Sequence, residues 1–501
     1  MTQSTTDSQT TTHAKSAERI GMVPAERRAV FSLASIYALR MMGLFMIFPV
    51  FALYGQTLEG STPFLIGLAM GIYGLTQAAL QIPFGMASDR FGRKPIITLG
   101  LIIFAIGSVV AASSDSMSGV IIGRALQGAG AIAAAVMALT ADLTREENRL
   151  GAMAIIGMSI GLAFATALVL GPVLGHWIGV DGIFWLTGVL AIVAIGVLHF
   201  VVPTPVRSSF HRDAQTVPAQ LKTVITNPQL LRLDFGIFAL HMMLTATFVV
   251  LPLALRDHAG LGTNQLWYIY LPVMVISMVL MVPFVVVAEK KRRMKTVFSA
   301  SVLLLAIAEL AFMLGYQSLT GIVFGLFVFF TAFMVLEATL PSLIAKVAPP
   351  DNKGSAMGVY SSSQFMGAFF GGTLGGWLYG HSGMAAVFGL CAALAVVWFF
   401  VAATMQSPRY LSSHLVRVGS ITEAQARHLV AEFTKVTGVA EAVVIAEDGI
   451  AYLKVDLHAL DREALKAYSV DQDPMPGDEV TEAVAGVSDE TATEAAGSRT
   501  H

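Results

Sequence analysis

From residue 30 to residue 405 the chain is a succession of long apolar runs separated by short polar breaks. A run of roughly 20 apolar residues spans a bilayer core as an α-helix, and in lipid only helices and closed barrels satisfy their own backbone polar groups. Twelve such runs are legible, at 30–54, 62–86, 95–113, 117–141, 151–178, 182–202, 232–256, 264–288, 296–316, 319–345, 354–380 and 383–405. This dictates an all-α membrane protein of twelve transmembrane helices. The composition agrees, since 55% of the 501 residues are hydrophobic and 13% are charged. A net charge of -2 says little when the charges are segregated into loops.

Several function classes fall away. The single cysteine, Cys391, excludes a disulfide framework and a cysteine-rich metal site. No metal, cofactor, nucleic-acid partner or enzymatic activity is expected. Residues 1–18 are polar and lack an apolar segment, which argues against a cleaved signal peptide. With no phosphate-binding loop in the sequence, the energy for any work must come from an ion gradient, worth about 2.3 kcal/mol per charge per 100 mV.

Lys and Arg favour cytoplasmic loops. Alternate connections carry Arg27 and Arg28, Arg90 with Arg93 and Lys94, Arg145 and Arg149, Arg207 with Arg212 and Lys222, Lys290 to Lys295, and Lys346 with Lys353. Both termini are therefore expected in the cytoplasm. The domains read as a tail over 1–29, a six-helix bundle over 30–202, a linker over 203–231, a second six-helix bundle over 232–405, a soluble module over 408–470 and an acidic tail over 471–501. The bundles look duplicated. Pro83-Phe84, Asp89, Arg93 and Trp177 recur as Pro283-Phe284, Glu289, Arg293 and Trp377 at an offset of 200. In transporters built from repeats, substrate sites lie at the repeat interface near the midplane.

The stretch GMASDRFGRKPI, between spans two and three, holds Gly85, Asp89, Arg90, Gly92, Arg93 and Lys94. A positive stop segment accounts for the cations but not for Asp89 or the two glycines. In span four, Arg124, Gly128, Ala131, Ala135, Ala138 and Asp142 follow spacings of four and three, so one helical face is expected to carry them. Span five contains Gly171, Pro172 and Gly175, where proline promotes a kink. Gly367, Gly371 and Gly375 in span eleven suit close helix packing.

These motifs resemble the major facilitator superfamily: the loop, the span-four pattern Arg124-x-x-Gln127-Gly128-x-Gly130, and the span-five signature of drug and proton antiporters. In that signature His176 replaces the usual last glycine. The resemblance implies that fold, with proton coupling at Arg124 and spans one, four, seven and ten lining a cavity. It also implies a conformational switch, in which Arg93 pairs with Asp142 and Asp89 faces the start of span eleven near Gly354 and Ser355. Both contacts are expected to tie the halves' cytoplasmic ends together. The latch is expected to be one-sided, because Lys346 replaces the counterpart of Asp142 and would repel Arg293.

Ionisable groups inside spans are functional candidates by default. Arg40, His241, Glu309 and Glu337 qualify, and Arg40, His241 and Glu337 are preferred because the resemblance puts their spans at the cavity. Glu337 is the expected proton carrier, with a paired structural carboxylate as the alternative. Tyr37, Met41, Gln77, Gln81, Tyr360 and Gln364 make an amphipathic set suited to a substrate cavity, although such residues also serve packing.

Beyond span twelve, LSSHLVRV alternates like a strand, Thr422 is placed to cap a helix, and AEAVVIA and IAYLKVDL flank the turn signal Glu447-Asp448-Gly449. The order βαββα resembles a small α+β ferredoxin-like domain with its last strand short or absent. With twelve spans before it, the chain is similar to the YajR-type branch of the superfamily. The expected function is proton-coupled transport of a small-molecule substrate across the lipid bilayer by a monomer, most simply efflux by antiport. Symport of a metabolite and a membrane sensor signalling through the C-terminal module are the alternatives.

Overall fold

The computed structural model describes residues 22–204, 218–348, 353–406, 412–419, 421–446, 449–456 and 459–469. The N-terminal tail before residue 22, the linker centre and the acidic tail lie outside them, as do Glu447 and Asp448. The chain divides into two compact units, Met1–Pro408 and Arg409–His501.

The first unit is helical: α1 Pro24–Phe45, α2 Phe48–Gly55, α3 Pro63–Phe91, α4 Arg93–Ala112, α5 Met117–Ala129, α6 Ala133–Asp142, α7 Glu146–Phe200, α8 Pro218–Ile225, α9 Pro228–Asp257, α10 Trp267–Lys290, α11 Met294–Gly315, α12 Leu319–Val347, α13 Lys353–Ser382 and α14 Met384–Ala403. Ten helical segments are long and apolar enough to cross a membrane among the described residues. One of these, Gly151–Phe200, is two spans joined at Gly179, whose φ of 74° turns the chain back. The 30-residue α13 is not among the ten, being rich in Gly and Ser, and completes the twelve. Helix α8 lies in the linker between the halves.

Span one is α1 and α2, interrupted at Met46–Ile47, and span four is α5 and α6. The break in span four corrects the expectation of one continuous helical face there. A Cβ at Gly130 would lie 2.2 Å from the Gly100 carbonyl oxygen, so close approach to α4 fixes the backbone where the helix stops. The residues of the expected stripe are consequently divided between two helices. In span five the helix continues through Pro172. Gly171 there meets the span-one break, where a Cβ would fall 2.2 Å from the Met46 carbonyl oxygen, while His176 faces outward.

The end of the bundle bearing the α3–α4 turn is called here the loop side. At the opposite, far side the halves lock together. Gly67, Gly71 and Gly74 of α3 press on Gly372, Gly376, Phe369 and Phe365 of α13, so closely that a Cβ on Gly67 would reach within 2.0 Å of the Gly372 carbonyl oxygen. Arg256 donates to Gln56 Oε1 at 2.8 Å across the same boundary. Gly367, Gly371 and Gly375, on another face of α13, pack instead on Phe238, Met242 and Ala246 of α9 within the second half. The duplication persists in the backbone: Gly92 between α3 and α4 has φ 95°, and Arg292, at the equivalent turn, has φ 53°.

The second unit has β1 Ser412–Arg417, α15 Glu423–Phe433, β2 Val439–Ile445, β3 Ile450–Val455 and α16 Arg462–Lys466. The sheet is antiparallel in the order β1-β3-β2, and pairs Val416 with Ala451 and Val443 with Tyr452. Val416, Phe433, Ala451, Leu453, Val455 and Leu465 form its core. Thr422 caps α15 in a reciprocal pair with Gln425.

Candidate functional site

At the loop side, Gly92 ends α3 and Arg93 begins α4, so the turn delivers the arginine sideways into the first half. Arg93 is 4% exposed; its Nε lies 3.2 Å from Asp142 Oδ2, and Nη1 donates to Ser88 Oγ at 2.8 Å and to Asp89. Lys94 ties the same turn to the end of span six through the Val202 carbonyl, 2.7 Å away. Gly85 admits Ala134 of α6, and Arg90 lies over the Phe91 ring. The pairing of Arg93 with Asp142 is therefore internal to the first half, which corrects the expectation that this contact ties the two halves together. A second correction concerns the other bundle. Lys346 does not leave the turn unlatched but pairs with Glu289 at 2.5 Å, where Ser342 also donates at 2.7 Å.

The interior of the first half is cationic. Arg40 is 2% exposed, donates Nη2 to Gln77 Oε1 at 2.5 Å, and stands over the Tyr73 and Phe104 rings. Gln77 continues to Gln81 at 3.3 Å, and Tyr37 lies within the electrostatic reach of Arg40. Arg124 lies over the same Tyr73 ring and donates to Gln127, which binds Ser108. Cation–π contact and amide oxygens thus hold two guanidinium groups in an apolar interior. Met41 is buried beside Arg40 in sequence. Tyr73 faces Phe365 of α13, so this cluster reaches the boundary between the halves.

In the second half, α9, α12 and α13 bring together His241, Glu337 and Gln364. The Gln364 amide lies 2.8 Å from His241 Nε2 and donates to Glu337 Oε1 at 3.4 Å; His241 and Glu337 are 4.0 Å apart. Tyr360, one turn before Gln364, is close enough to Glu337 and Asp234 to feel both charges. The preferred residues of the second half are thus one connected set.

Three acidic positions carry more than the sequence reading gave them. Asp234 on α9, absent from the sequence candidates, is 5% exposed. Glu309, set aside as peripheral, is fully buried and accepts from Thr247 at 3.0 Å. Glu26 accepts from the Arg145 backbone and side chain at 2.7 and 3.0 Å and from Asn148 at 2.9 Å, anchoring the start of α7. A carboxylate at a helix N-terminus is favoured by the dipole. No group of three His, Cys, Asp or Glu among the described residues is placed to hold a metal ion.

The chain matches the Major Facilitator Superfamily profile over residues 33–296 and 277–423. It is 47% identical over 441 residues to the inner membrane transport protein YajR of Escherichia coli (strain K12), which covers 88% of this chain and 97% of that protein. It is 26% identical over 351 residues to the multidrug resistance protein MdtH of Yersinia enterocolitica, covering 68% of this chain and 83% of that one. A solved bacterial homolog of the human lysosomal transporter Spinster, inward-facing and unoccupied, shares the fold with a TM-score of 0.62 at 14% identity, over 77% of this chain and 98% of that structure.

Proposed function

Since the chain belongs to the Major Facilitator Superfamily and is a membrane transporter, we propose that it is a proton-coupled antiporter of the inner membrane that exports small organic molecules by alternating access. In this reading both termini, and hence the loop side, are cytoplasmic. The observation that carries it is Glu337, a carboxylate deep in a span whose neighbours are a histidine and an amide rather than a fixed cation. Such a group exchanges a proton without dismantling a salt bridge. The substrate sits between the two halves, against Tyr37, Met41, Gln77, Gln81, Tyr360 and Gln364, with Arg40 and Arg124 in the wall of the first half and Gly171, Pro172 and Gly175 shaping span five. MdtH, a multidrug resistance protein, supports export and a broad substrate range.

The Arg93 cluster acts as a conformational switch on the cytoplasmic side, Glu289 and Lys346 being its partner in the second half. Closure of the far side by the glycine seam corresponds to a state that opens toward the cytoplasm. The protein works as a monomer in the bilayer, and the C-terminal unit regulates it.

The test uses reconstituted vesicles and a ligand found by thermal shift. Glu337→Gln should abolish accumulation driven by an imposed pH gradient while keeping the ligand's thermal shift. Undiminished gradient-driven transport in that variant would remove Glu337 from the mechanism, and the direction of accumulation separates antiport from symport.

A further inference from the structure

Two buried acids of the second half have no part in that scheme, Glu309, which accepts from Thr247, and Asp234. Neither carboxylate oxygen of Asp234 has a hydrogen-bond partner among the described residues, and the same is true of the Tyr360 hydroxyl and of Glu337 Oε2. Four polar atoms in that condition, on three helices that converge, are unusual, since buried polar groups are nearly always satisfied by protein or ordered water. Asp234 and His241 are seven residues apart on α9, two turns, and so share a face. Tyr360 senses both Asp234 and Glu337. On its own helix Arg232 turns away to Thr404, 3.2 Å from its Nε, and from α14 the neutral indole of Trp398 comes up to Gly236.

Depth orders these groups. With a rise of 1.5 Å per residue, Asp234 lies about 9 Å in from the loop-side start of α9, and Tyr360 lies about 10 Å in from the start of α13. Glu337 lies about 15 Å from the loop-side end of α12, and His241 about 20 Å from the start of α9. The polar atoms form a ladder from just inside the loop-side end of the second half to mid-membrane.

We propose that Asp234 is a second proton site, the one through which protons pass between the loop-side solution and Glu337. The step balances simply. A proton from solution neutralises the Asp234 carboxylate; through water bridging these unpartnered atoms the acid then passes a proton to the Tyr360 hydroxyl as that hydroxyl releases its own toward the Glu337 carboxylate. One proton moves inward, Tyr360 ends neutral, and the reverse sequence discharges Glu337. This rests on the assignment of Glu337 as the proton carrier.

The test needs no transported ligand. After a pH jump on the full-length protein in lipid, time-resolved infrared spectroscopy follows the carboxyl band that is absent from Glu337→Gln. Asp234→Asn should remove a second titrating band and slow the rise of the Glu337 band at least tenfold, and Asp234→Glu should restore the rate. Tyr360→Phe, which keeps the ring, should slow it as well and serves if the Asn variant folds poorly. A Glu337 band that rises at the parental rate in Asp234→Asn or in Tyr360→Phe overturns the route through Asp234 and leaves Glu337 standing. If Glu337→Gln loses no band, both the route and the carrier assignment fall.

Discussion

A carboxylate in a membrane interior survives only where its neighbours replace water. That rule made Arg40, His241 and Glu337 legible as isolated ionisable letters in apolar runs, and the structure gives each a specific neighbour. What the letters did not carry was distance. Gln364 became the bridge between His241 and Glu337 only once α13 was laid against α9 and α12, and the burial of Asp234, two residues inside its apolar run, likewise emerged only with the packed helices. Outside the membrane, His414 on β1 offers a residue-level prediction. Burial, and then the Arg462 guanidinium nearby, hold its imidazole below the ordinary histidine value. The unfolded chain therefore binds the proton more readily, so stability of this unit rises with pH and is lost as pH falls below about 6.5. Hydrogen-exchange protection of residues 412–469 in the full-length protein, taken relative to the intrinsic exchange rate at each pH, should fall on acidification, and His414→Gln should flatten that dependence. An unchanged slope in the variant would assign the acid sensitivity to another group.

At the scale of elements, α13 shows how far spacing alone reaches. Glycines four apart announce close packing, but the sequence did not say that α13 has two such faces: one gripping α9 in its own half and one meeting α3 in the other. The break in span four was also hidden, because Gly130 reads as one more small residue until Gly100 is seen against it. The two faces should respond differently to a single methyl group. Gly67→Ala, at the seam between halves, would place a Cβ 2.0 Å from a backbone oxygen that has no room to yield. Overpacking of that kind costs about 1 to 3 kcal/mol. The expected outcome is a population opened at the far side, seen as longer spin-label distances between the far-side ends of α3 and α13, with little change in melting temperature. Gly371→Ala clashes with the Met242 carbonyl inside one half and should instead lower the melting temperature. The same distance distribution in Gly67→Ala as in the parent would show that the seam does not govern opening.

Across the whole molecule, the membrane unit and the C-terminal unit were legible as separate because apolar runs stop and period-two alternation begins. The C-terminal unit has its own core around Phe433, Leu453 and Leu465, each at most 1% exposed. Removal of residues 408–501 should leave a bundle that extracts from membranes as a single species with its melting temperature nearly intact, while transport regulation changes. Recovery of the truncated chain only as aggregate would mean that the bundle depends on the module.

The paired turns at Gly92 and Arg292 carry a consequence for how duplicated proteins are recognised. Glycine enters the left-handed region freely, whereas a residue with a β-carbon enters it at a cost. The second half has a positive φ at this position on an arginine, 53° against 95° at Gly92, and spreads its turn over residues 291–293 where the first half has Gly92 alone. The letters around it, Asp89 with Arg93 and Glu289 with Arg293, are the more faithful record of the duplication, so a search by amino-acid pattern recognises the repeat where a search by conformation meets two different turns.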